Sequence, residues 1–289
     1  MNENKQSLEC GLCPHKCILQ PGRTGFCGTR RNFDGEIRSV SYGQVTSLAV
    51  DPIEKKPLYH FHPGTAILSV GGFGCNMKCS FCQNHGISQQ GIEVSQGYVS
   101  PEDLVKLSQK AAAEAGSIGV AFTYNEPLLS YEYLMDTAPL LQDKGQKVVL
   151  VTNGQIMEEK FKKLLPYIDA MNIDLKGFSD SFYSDVLLGD RRMVMDFIAE
   201  AVKHCHVEIT TLIIPGENDS DEEMTEISKW IASLKDKSGN VIGKKVPLHI
   251  SRFFPRFKMT DRPPTDVDSI YHLADIARKN LEFVYTGNC

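Results

Sequence analysis

Three cysteines stand close together in one short stretch of the chain. Cys75, Cys79 and Cys82 follow the spacing C-x3-C-x2-C. Thiolates this close can bind zinc or an iron–sulfur cluster, and both usually take four protein ligands. Three thiolates can instead hold a cubane cluster and leave one iron open, as a catalytic metal site does. We therefore expect a catalytic 4Fe–4S cluster here. The alternatives are a zinc knuckle completed by a residue such as His85, or three unrelated buried thiols.

The residues around these cysteines favour the cluster. Residues 67–70 are apolar and predict a strand that enters the loop. Gly71, Gly72 and Gly74 let the backbone turn and pack close to a bulky inorganic group. Phe81 directly precedes the third cysteine. The cysteine spacing, the glycines and the aromatic residue therefore all favour a cluster at this loop.

A second group of cysteines lies near the amino terminus. Cys10, Cys13, Cys17 and Cys27 follow C-x2-C-x3-C-x9-C in a stretch rich in glycine and proline. So short a loop cannot bury an apolar core, and four thiolates around a metal would stabilise it. The spacing leaves zinc and a second iron–sulfur cluster open. A closed set of four ligands favours zinc or another structural role.

Composition places limits on the class of protein. The 289 residues are 42% hydrophobic and 23% charged, as in a globular protein, and the net charge of −5 argues against nucleic acid or anionic membranes as partners. No stretch approaches the roughly 20 apolar residues that span a bilayer, and residues 1–9 lack an apolar signal core. Nine cysteines suit metal binding in a reducing compartment, so we expect a cytoplasmic protein.

From Ala66 onward, short apolar strands alternate with helical patterns, which predicts a parallel sheet with helices outside it. Six such units predict an α/β fold, a partial (β/α)6 TIM-like barrel with a small N-terminal cysteine-rich extension. Asn218 and Asp219 are expected to cap the fifth helix. The predicted divisions are a metal-binding extension at 1–32, a hairpin and connector at 33–65, and the barrel at 66–289. The predicted strands are 66–71, 118–123, 147–151, 170–175, 207–213, 247–253 and 281–285; the predicted helices are 101–115, 130–143, 157–165, 192–204, 220–235 and 266–279.

Polar residues recur where the predicted strands end, which is where barrels carry their chemistry. Asp174 and Lys176 are two residues apart and share one face of a strand, where they either meet a ligand or pair with each other. The full set of candidate ligand-binding residues is Asn125, Glu126, Thr152, Asn153, Asp174, Lys176, Glu208, Thr210 and His249.

Several of these motifs resemble one family. The string C-x3-C-x-F-C-Q-N from Cys75 resembles the signature of the radical S-adenosylmethionine (SAM) enzymes. Asn125-Glu126-Pro127 resembles their Gly-Gly-Glu-Pro turn, with Tyr124 and Asn125 replacing the glycines. Residues 173–176 resemble the Asp-Leu-Lys strand of the pyruvate formate-lyase activating enzyme group. The segments 10–17, 51–60 and 285–288 resemble, more narrowly, the AmmeMemoRadiSam system radical SAM enzymes.

The resemblance implies a chemistry and roles for the candidate residues. It implies that an open iron of the cluster binds SAM, and that one electron cleaves SAM to methionine and a 5′-deoxyadenosyl radical that abstracts hydrogen from a substrate. It implies that Asn125 and Glu126 meet the SAM ammonium, that Asp174 and Lys176 meet the ribose and carboxylate, and that Glu208 and Thr210 lie on the adenine side. It also implies a flavodoxin or ferredoxin electron donor and an anaerobic setting.

Two further functions remain open at this point. One is an activase that installs a glycyl radical on a partner enzyme, which would make a protein the substrate. The extra cysteines of this chain lie before the C-x3-C-x2-C loop, whereas activases with extra clusters place them after it, and this weakens that interpretation. The other is a non-catalytic, metal-stapled binding module.

Overall fold

Eight strands form the central sheet of the protein, seen in a computed structural model that describes residues 6–289. The strands follow chain order across the sheet, and all neighbours are parallel except β1 and β2, which are antiparallel. The predicted extension begins with residues 1–5, which lie outside the described part. The strands are β1 (Ser47–Pro52), β2 (Ala66–Gly71), β3 (Ser117–Thr123), β4 (Lys147–Thr152), β5 (Ala170–Asp174), β6 (His206–Ile213), β7 (Leu248–Arg252) and β8 (Val284–Gly287).

Six helices connect the parallel strands and cover the outer face of the sheet. Their amphipathic faces pack into one large apolar core against the strands. The sheet is therefore the predicted partial barrel with helices outside. The helices are α1 (Pro101–Ala115), α2 (Tyr131–Gln142), α3 (Glu158–Leu164), α4 (Arg191–Ala201), α5 (Asp221–Ala232) and α6 (Val267–Arg278).

Side-chain caps fix where several helices begin. Ser100 accepts a hydrogen bond from the backbone of Asp103, and Ser220 accepts one from Glu223. The prediction that Asn218 or Asp219 caps α5 is wrong, because Ser220 takes that role. Asn218 instead donates to the carbonyl oxygens of Lys176 and Leu212, at 2.7 and 2.8 Å.

β1 is the main departure from the predicted layout. It pairs with β2 over its full length, from Ser47 opposite Gly71 to Pro52 opposite Ala66. The predicted division at residue 66 therefore falls between two paired strands of one sheet. Four of the six residues of β1 are exposed and only Ser47 and Asp51 are half-buried, which fits an edge strand whose amphipathic pattern is weak in the sequence.

The connector between β1 and β2 closes the amino-terminal end of the barrel. Ile53 and Leu58 are fully buried there against small and medium side chains from the strands. The strand residues in this cluster are Ile67, Ala121, Val149 and Ala170. Because two of these are alanines, the interior has room for side chains from the connector.

Short elements complete the described chain. Three two-stranded pairs flank the barrel: Leu8–Glu9 with Ile18–Leu19, Arg30–Asn32 with Ile37–Ser39, and Gln44–Val45 with Gly97–Tyr98. A four-residue helix, His85–Ser88, follows the cysteine loop. Within residues 6–289, no helix combines the length and apolar character that crossing a membrane requires.

Candidate active site

The cysteine loop, residues 72–84, leaves the carboxyl end of β2. Cys79 is buried and Cys75 and Cys82 are partly buried. The Cys75 Sγ accepts hydrogen bonds from the backbone N–H of Met77 at 3.3 Å and the Asn153 amide at 3.6 Å, and the Cys82 Sγ lies 3.1 Å from the Ser88 hydroxyl. Such donors stabilise ligating sulfurs.

Burial controls the protonation of the Cys75 and Cys79 thiols. It raises the pKa of Cys75 well above its ordinary value, and the Glu126 carboxylate raises it further. Burial also raises the pKa of Cys79 to about 11, although Lys176 lowers it. These thiols are therefore protonated at neutral pH until a metal displaces the proton. Three soft donors, two of them with hydrogen-bonded sulfurs, fit the cluster that their spacing predicts.

The turn after β3 clamps the cysteine loop. The Asn125 side chain accepts from the backbone N–H of Gly72 at 3.0 Å and donates to the carbonyl oxygens of Phe73 and Gly74 at 2.9 and 3.3 Å. The backbone N–H of Glu126 also donates to Gly74, at 3.3 Å. Since the Asn125 side chain is occupied in this way, the turn can offer SAM mainly its backbone.

Tyr124 takes the backbone conformation that glycine favours. Its φ of +73° lies in the left-handed region, at a position where the family motif has glycine. The Tyr124 hydroxyl donates to Asp51 at 2.8 Å and accepts from Lys56 at 3.2 Å, and the Lys56 ammonium lies 4.6 Å from its ring centre. This buried ion pair holds the turn in place from inside the barrel.

Glu126 joins two neighbouring strand ends. Its carboxylate accepts from Leu128 N–H, the Thr152 hydroxyl and Asn153 N–H, at 3.0, 2.7 and 2.8 Å. The side chain is almost fully buried, and burial raises its pKa to about 7 despite these donors. Glu126 therefore fixes the turn after β4, and its predicted contact with the SAM ammonium stays a prediction.

Asn153 links the β4 turn to the cysteine loop. Its amide donates to Asn76 Oδ1 at 3.0 Å as well as to Cys75, and its Oδ1 accepts from Gln155 N–H at 2.9 Å. The Asn76 amide in turn donates to the Gln155 carbonyl at 2.7 Å. The structure thus places Asn153 beside the Cys75 thiol, while the predicted cofactor contacts of Thr152 and Asn153 stay predictions.

Asp174 and Lys176 pair with each other at the end of β5. The Lys176 ammonium lies 2.9 Å from Asp174 Oδ2, and both side chains keep some exposure. Burial lowers the pKa of Lys176, but Asp174 and Cys79 raise it more, so its net pKa is above the ordinary value. The Lys176 ammonium is therefore charged and close to Cys79, and contact with SAM remains a prediction for both residues.

Glu208 serves a different purpose in the structure. Its fully buried carboxylate accepts from the backbone N–H groups of Tyr59 and His60, at 3.0 and 2.7 Å, and from the imidazoles of His206 and His249, at 2.9 and 2.6 Å. Four donors fill its acceptor positions. Glu208 anchors the connector near the amino-terminal end of the barrel, a role that spacing could not reveal.

The two remaining predicted residues lie near Glu208. His249 is buried and donates to Glu208, and the Thr210 hydroxyl donates to the Asn172 side chain at 2.9 Å. The Asn172 amide in turn donates to the carbonyl of Pro57 in the connector, at 2.8 Å. Cofactor contact by Thr210 and His249 stays a prediction.

The four N-terminal cysteines form a second thiol group. Burial raises the pKa of Cys13 to about 12, and the charges of Cys27, Cys10 and Cys17 raise it too, so the four side chains are mutually close. The Cys27 Sγ lies 3.2 Å from the Thr29 hydroxyl. Within residues 6–289, no three His, Cys, Asp or Glu side chains converge as ligands of a single ion.

Arg30 supplies a buried donor beside these thiols. Its guanidinium pairs with Glu132 at 2.5 and 2.8 Å and lies next to Cys10. In the described chain its buried Nε has no hydrogen-bond acceptor. A thiolate at Cys10 would satisfy that donor, so the surroundings of this group suit deprotonated, metal-bound sulfur.

The N-terminal segment packs directly on the cysteine loop. His15 Nε2 lies 2.7 Å from the Asn76 carbonyl oxygen, and the Lys78 ammonium lies 4.9 Å from the Phe26 ring centre. A Cβ at Gly74 would lie 2.7 Å from the Cys27 carbonyl oxygen. Only glycine fits at that position, so the two thiol groups are immediate neighbours.

Comparisons with known proteins identify the superfamily of this chain. The model of the radical SAM superfamily matches residues 69–227, and the chain belongs to that superfamily. Protein MJ0808 of Methanocaldococcus jannaschii is 38% identical over the whole chain and 83% of its own length. The pyruvate formate-lyase-activating enzyme of Clostridium pasteurianum is 26% identical over 56% of this chain and 68% of its own.

A solved structure shows the same fold. Streptococcus suis SuiB bound to S-adenosylmethionine superposes with a TM-score of 0.56 at 14% identity, over 74% of this chain and 48% of SuiB. The chain thus spans about half the length of SuiB. The predicted family and partial barrel are confirmed, while the narrower resemblance to the AmmeMemoRadiSam system stays a prediction.

Proposed function

We propose that this protein reductively cleaves SAM at a 4Fe–4S cluster held by Cys75, Cys79 and Cys82 and uses the resulting radical to abstract hydrogen from a substrate. The observation that carries the proposal is that one loop places Cys75, Cys79 and Cys82 beside Asn153 and the Asp174–Lys176 pair at the strand ends, with hydrogen bonds to the sulfurs of Cys75 and Cys82. When bound, the cluster supplies the single electron that splits the sulfonium of SAM.

The chain's own residues bind and orient SAM. SAM carries an ammonium, a carboxylate and a ribose. The Lys176 ammonium and the Asp174 carboxylate have the charges that the SAM carboxylate and the ribose hydroxyls require. The backbone of the 124–126 turn offers carbonyl oxygens for the ammonium, and Asn125 fixes their distance from the cysteine loop. Burial around Glu126 and Asn153 excludes water from this edge of the site.

The test is anaerobic reconstitution followed by dithionite reduction with SAM. We expect about four irons at this site, and formation of 5′-deoxyadenosine and methionine. A Cys79→Ser variant should lose both, whereas Cys205→Ser is the matched control, because Cys205 donates only to the Ala201 carbonyl, away from the site. Equal SAM cleavage by both variants would refute the proposal.

A glycyl-radical activase is the second candidate. It is favoured by the relative named as a pyruvate formate-lyase-activating enzyme, and it would make the substrate a partner protein. Its test is electron paramagnetic resonance after incubation with SAM, reductant and a candidate partner. A glycyl radical doublet would support the activase, and its absence with every partner tried would count against it.

We also propose that Cys10, Cys13, Cys17 and Cys27 hold a metal centre, either zinc or a second iron–sulfur cluster. The mutual proximity of the thiols and the unpaired Arg30 Nε support a set of thiolates. Metal analysis distinguishes the two forms: roughly four irons with one zinc indicate a zinc site, and roughly eight irons indicate a second cluster. Four irons and no zinc would refute a metal centre there.

A further inference from the structure

Two segments form the surface around the cysteine loop. The first is residues 75–92, and the second, residues 251–260, follows β7 and is hereafter the β7 loop. The β7 loop lies on the cysteine loop, because the backbone N–H groups of Lys258 and Met259 both donate to the Ser80 carbonyl, at 2.8 and 3.0 Å. Ser80 stands between two of the predicted cluster ligands. The tip of the β7 loop is therefore in direct contact with the cysteine loop.

This surface is positively charged in an acidic protein. Neither segment contains an aspartate or glutamate, although the chain has 36 acidic residues and a net charge of −5. Arg256 and Lys258 are exposed, and within residues 6–289 neither has an ion-pair partner. The first acid after the β7 loop, Asp261, is paired with Arg262. The charges of Arg256 and Lys258 thus face solvent without an ion pair in the described chain.

The tip of the β7 loop is held in an unfavourable conformation. Phe257 has a φ of +55°, which a bulky side chain rarely adopts. The turn is closed by reciprocal backbone hydrogen bonds of 3.1 Å between Arg256 and Met259, and the Phe257 ring stacks on His85 at 4.6 Å. His85 opens the short helix just after Cys82. A strained turn that is fixed on both sides presents its cations in a defined place.

We propose that the β7 loop, with Arg256 and Lys258 as its charged contacts, is the docking surface for an acidic one-electron carrier protein. This inference rests on the proposed function, since the cluster must take up one electron from a reduced donor before it can cleave SAM. The donor is oxidised by one electron and the cluster is reduced by one. A positive patch beside the cysteine loop attracts an acidic donor and orients its redox centre toward Ser80 and Cys82.

Charge also explains why the partner is not nucleic acid. The patch offers two unpaired cations, whereas binding to a phosphate backbone relies on many such contacts and on strongly basic domains. An acidic carrier needs only a few rim charges, because these act mainly on the rate of association. The single aromatic ring of Phe257 adds an apolar contact at the centre of the patch.

The test uses the reconstituted full chain and flavodoxin as the acidic carrier. The variant Arg256→Glu/Lys258→Glu reverses the sign of the charge at these two positions. The matched control, Lys244→Glu/Lys245→Glu, makes the same change in net charge at exposed lysines just before β7, at the opposite end of the barrel. Binding of oxidised flavodoxin is measured by calorimetry at low and high salt. The rate of 5′-deoxyadenosine formation is then measured with photoreduced flavodoxin and, separately, with dithionite.

We expect the patch variant to raise the Kd for flavodoxin roughly tenfold at low salt and to remove most of its salt dependence. Its flavodoxin-driven rate should fall, while its dithionite-driven rate and iron content stay at the wild-type level. The control variant should resemble the wild type. Equal Kd values for the two variants would overturn the assignment, as would a patch variant that also loses the dithionite-driven rate. Failure of the proposed function is distinguishable from failure of this inference, because in that case the wild type would not cleave SAM even with dithionite.

Discussion

Lys56 illustrates how a single buried side chain shapes the site. Its ammonium is almost fully buried and lies 2.9 Å from Asp51 Oδ2, which also accepts from Ser69 and Tyr124 at 2.8 Å each. Burial raises the pKa of Asp51, but these hydrogen bonds lower it more, so the carboxylate is ionised. The pair therefore fixes Tyr124, and with it the turn that clamps the cysteine loop.

Replacing Lys56 by methionine should destabilise the protein substantially. The Lys56→Met change leaves a largely buried carboxylate without its cation, which costs about 3 kcal/mol of unfolding free energy. Urea denaturation of the metal-free chain measures this cost.

The neighbouring residue provides the control. Lys55 contacts the same carboxylate at 3.3 Å but is 67% exposed, so Lys55→Met should cost under about 1 kcal/mol. Equal losses of stability in the two variants would show that burial of the Lys56–Asp51 ion pair has no special importance.

Glu208 should make the unfolding free energy of the protein depend on pH in the acidic range. Burial raises its pKa, but His206, His249 and the two connector N–H groups lower it to about 2. A carboxyl group with a lowered folded-state pKa stabilises the fold above its unfolded pKa, and this stabilisation is lost as the pH falls toward 2. Between pH 5 and pH 3 we expect a loss of about 2 kcal/mol from this group.

The measurement is unfolding free energy against pH for the wild type and Glu208→Gln. The variant should be less stable at pH 6, and its stability should fall less between pH 5 and pH 3, because the titrating group is gone. Parallel pH profiles for the two proteins would show that Glu208 does not carry this dependence.

At the scale of elements, the cysteine loop depends on two neighbours. The β3 turn holds it through Asn125, and the N-terminal segment holds it through His15 and the contact of Cys27 with Gly74. The loop has no regular secondary structure between β2 and the helix at His85. Its shape is therefore set by contacts from other parts of the chain.

Gly74→Ala tests this packing. The position has a φ of +81°, and the new methyl group would overlap the Cys27 carbonyl oxygen and the Thr29 side chain. We expect a loss of about 2–4 kcal/mol in stability, and less iron per chain after reconstitution.

A second glycine near the same loop supplies the comparison. A Cβ at Gly86 meets nothing within 4 Å, so Gly86→Ala should keep its iron and its stability. Normal iron content in Gly74→Ala would show that the contact with the N-terminal segment is dispensable.

At the scale of the whole molecule, two segments that lie outside the sheet pack against the two ends of the barrel. The connector closes its amino-terminal end, and the N-terminal segment packs against its carboxyl end, where Leu12 also accepts a hydrogen bond from Met157 at 2.9 Å. The N-terminal segment has only short strands and little apolar core of its own. Its order should therefore depend on its thiol group.

Loss of the N-terminal thiols should loosen this segment alone. In Cys13→Ser/Cys27→Ser we expect residues 6–39 to exchange amide hydrogens much faster. Strands β3 to β6 should keep their protection, because their backbone hydrogen bonds are made to one another and not to the N-terminal segment. Hydrogen-exchange mass spectrometry provides the measurement, with Cys205→Ser as the control. Unchanged protection would mean that packing, and not a metal, orders the segment.

The sequence by itself determined the order and bounds of the parallel strands and their helices to within a few residues, since apolar period and turn residues are local properties. It also determined the family and predicted the three cysteines as cluster ligands, because their spacing within one loop needs no tertiary information. Only the tertiary structure decided that residues 47–52 join the sheet, that Glu208 anchors the connector, and that a lysine and an aspartate hold Tyr124 where a glycine is usual. Those facts depend on which distant residues meet in space, and neither spacing nor periodicity along the chain contains that information.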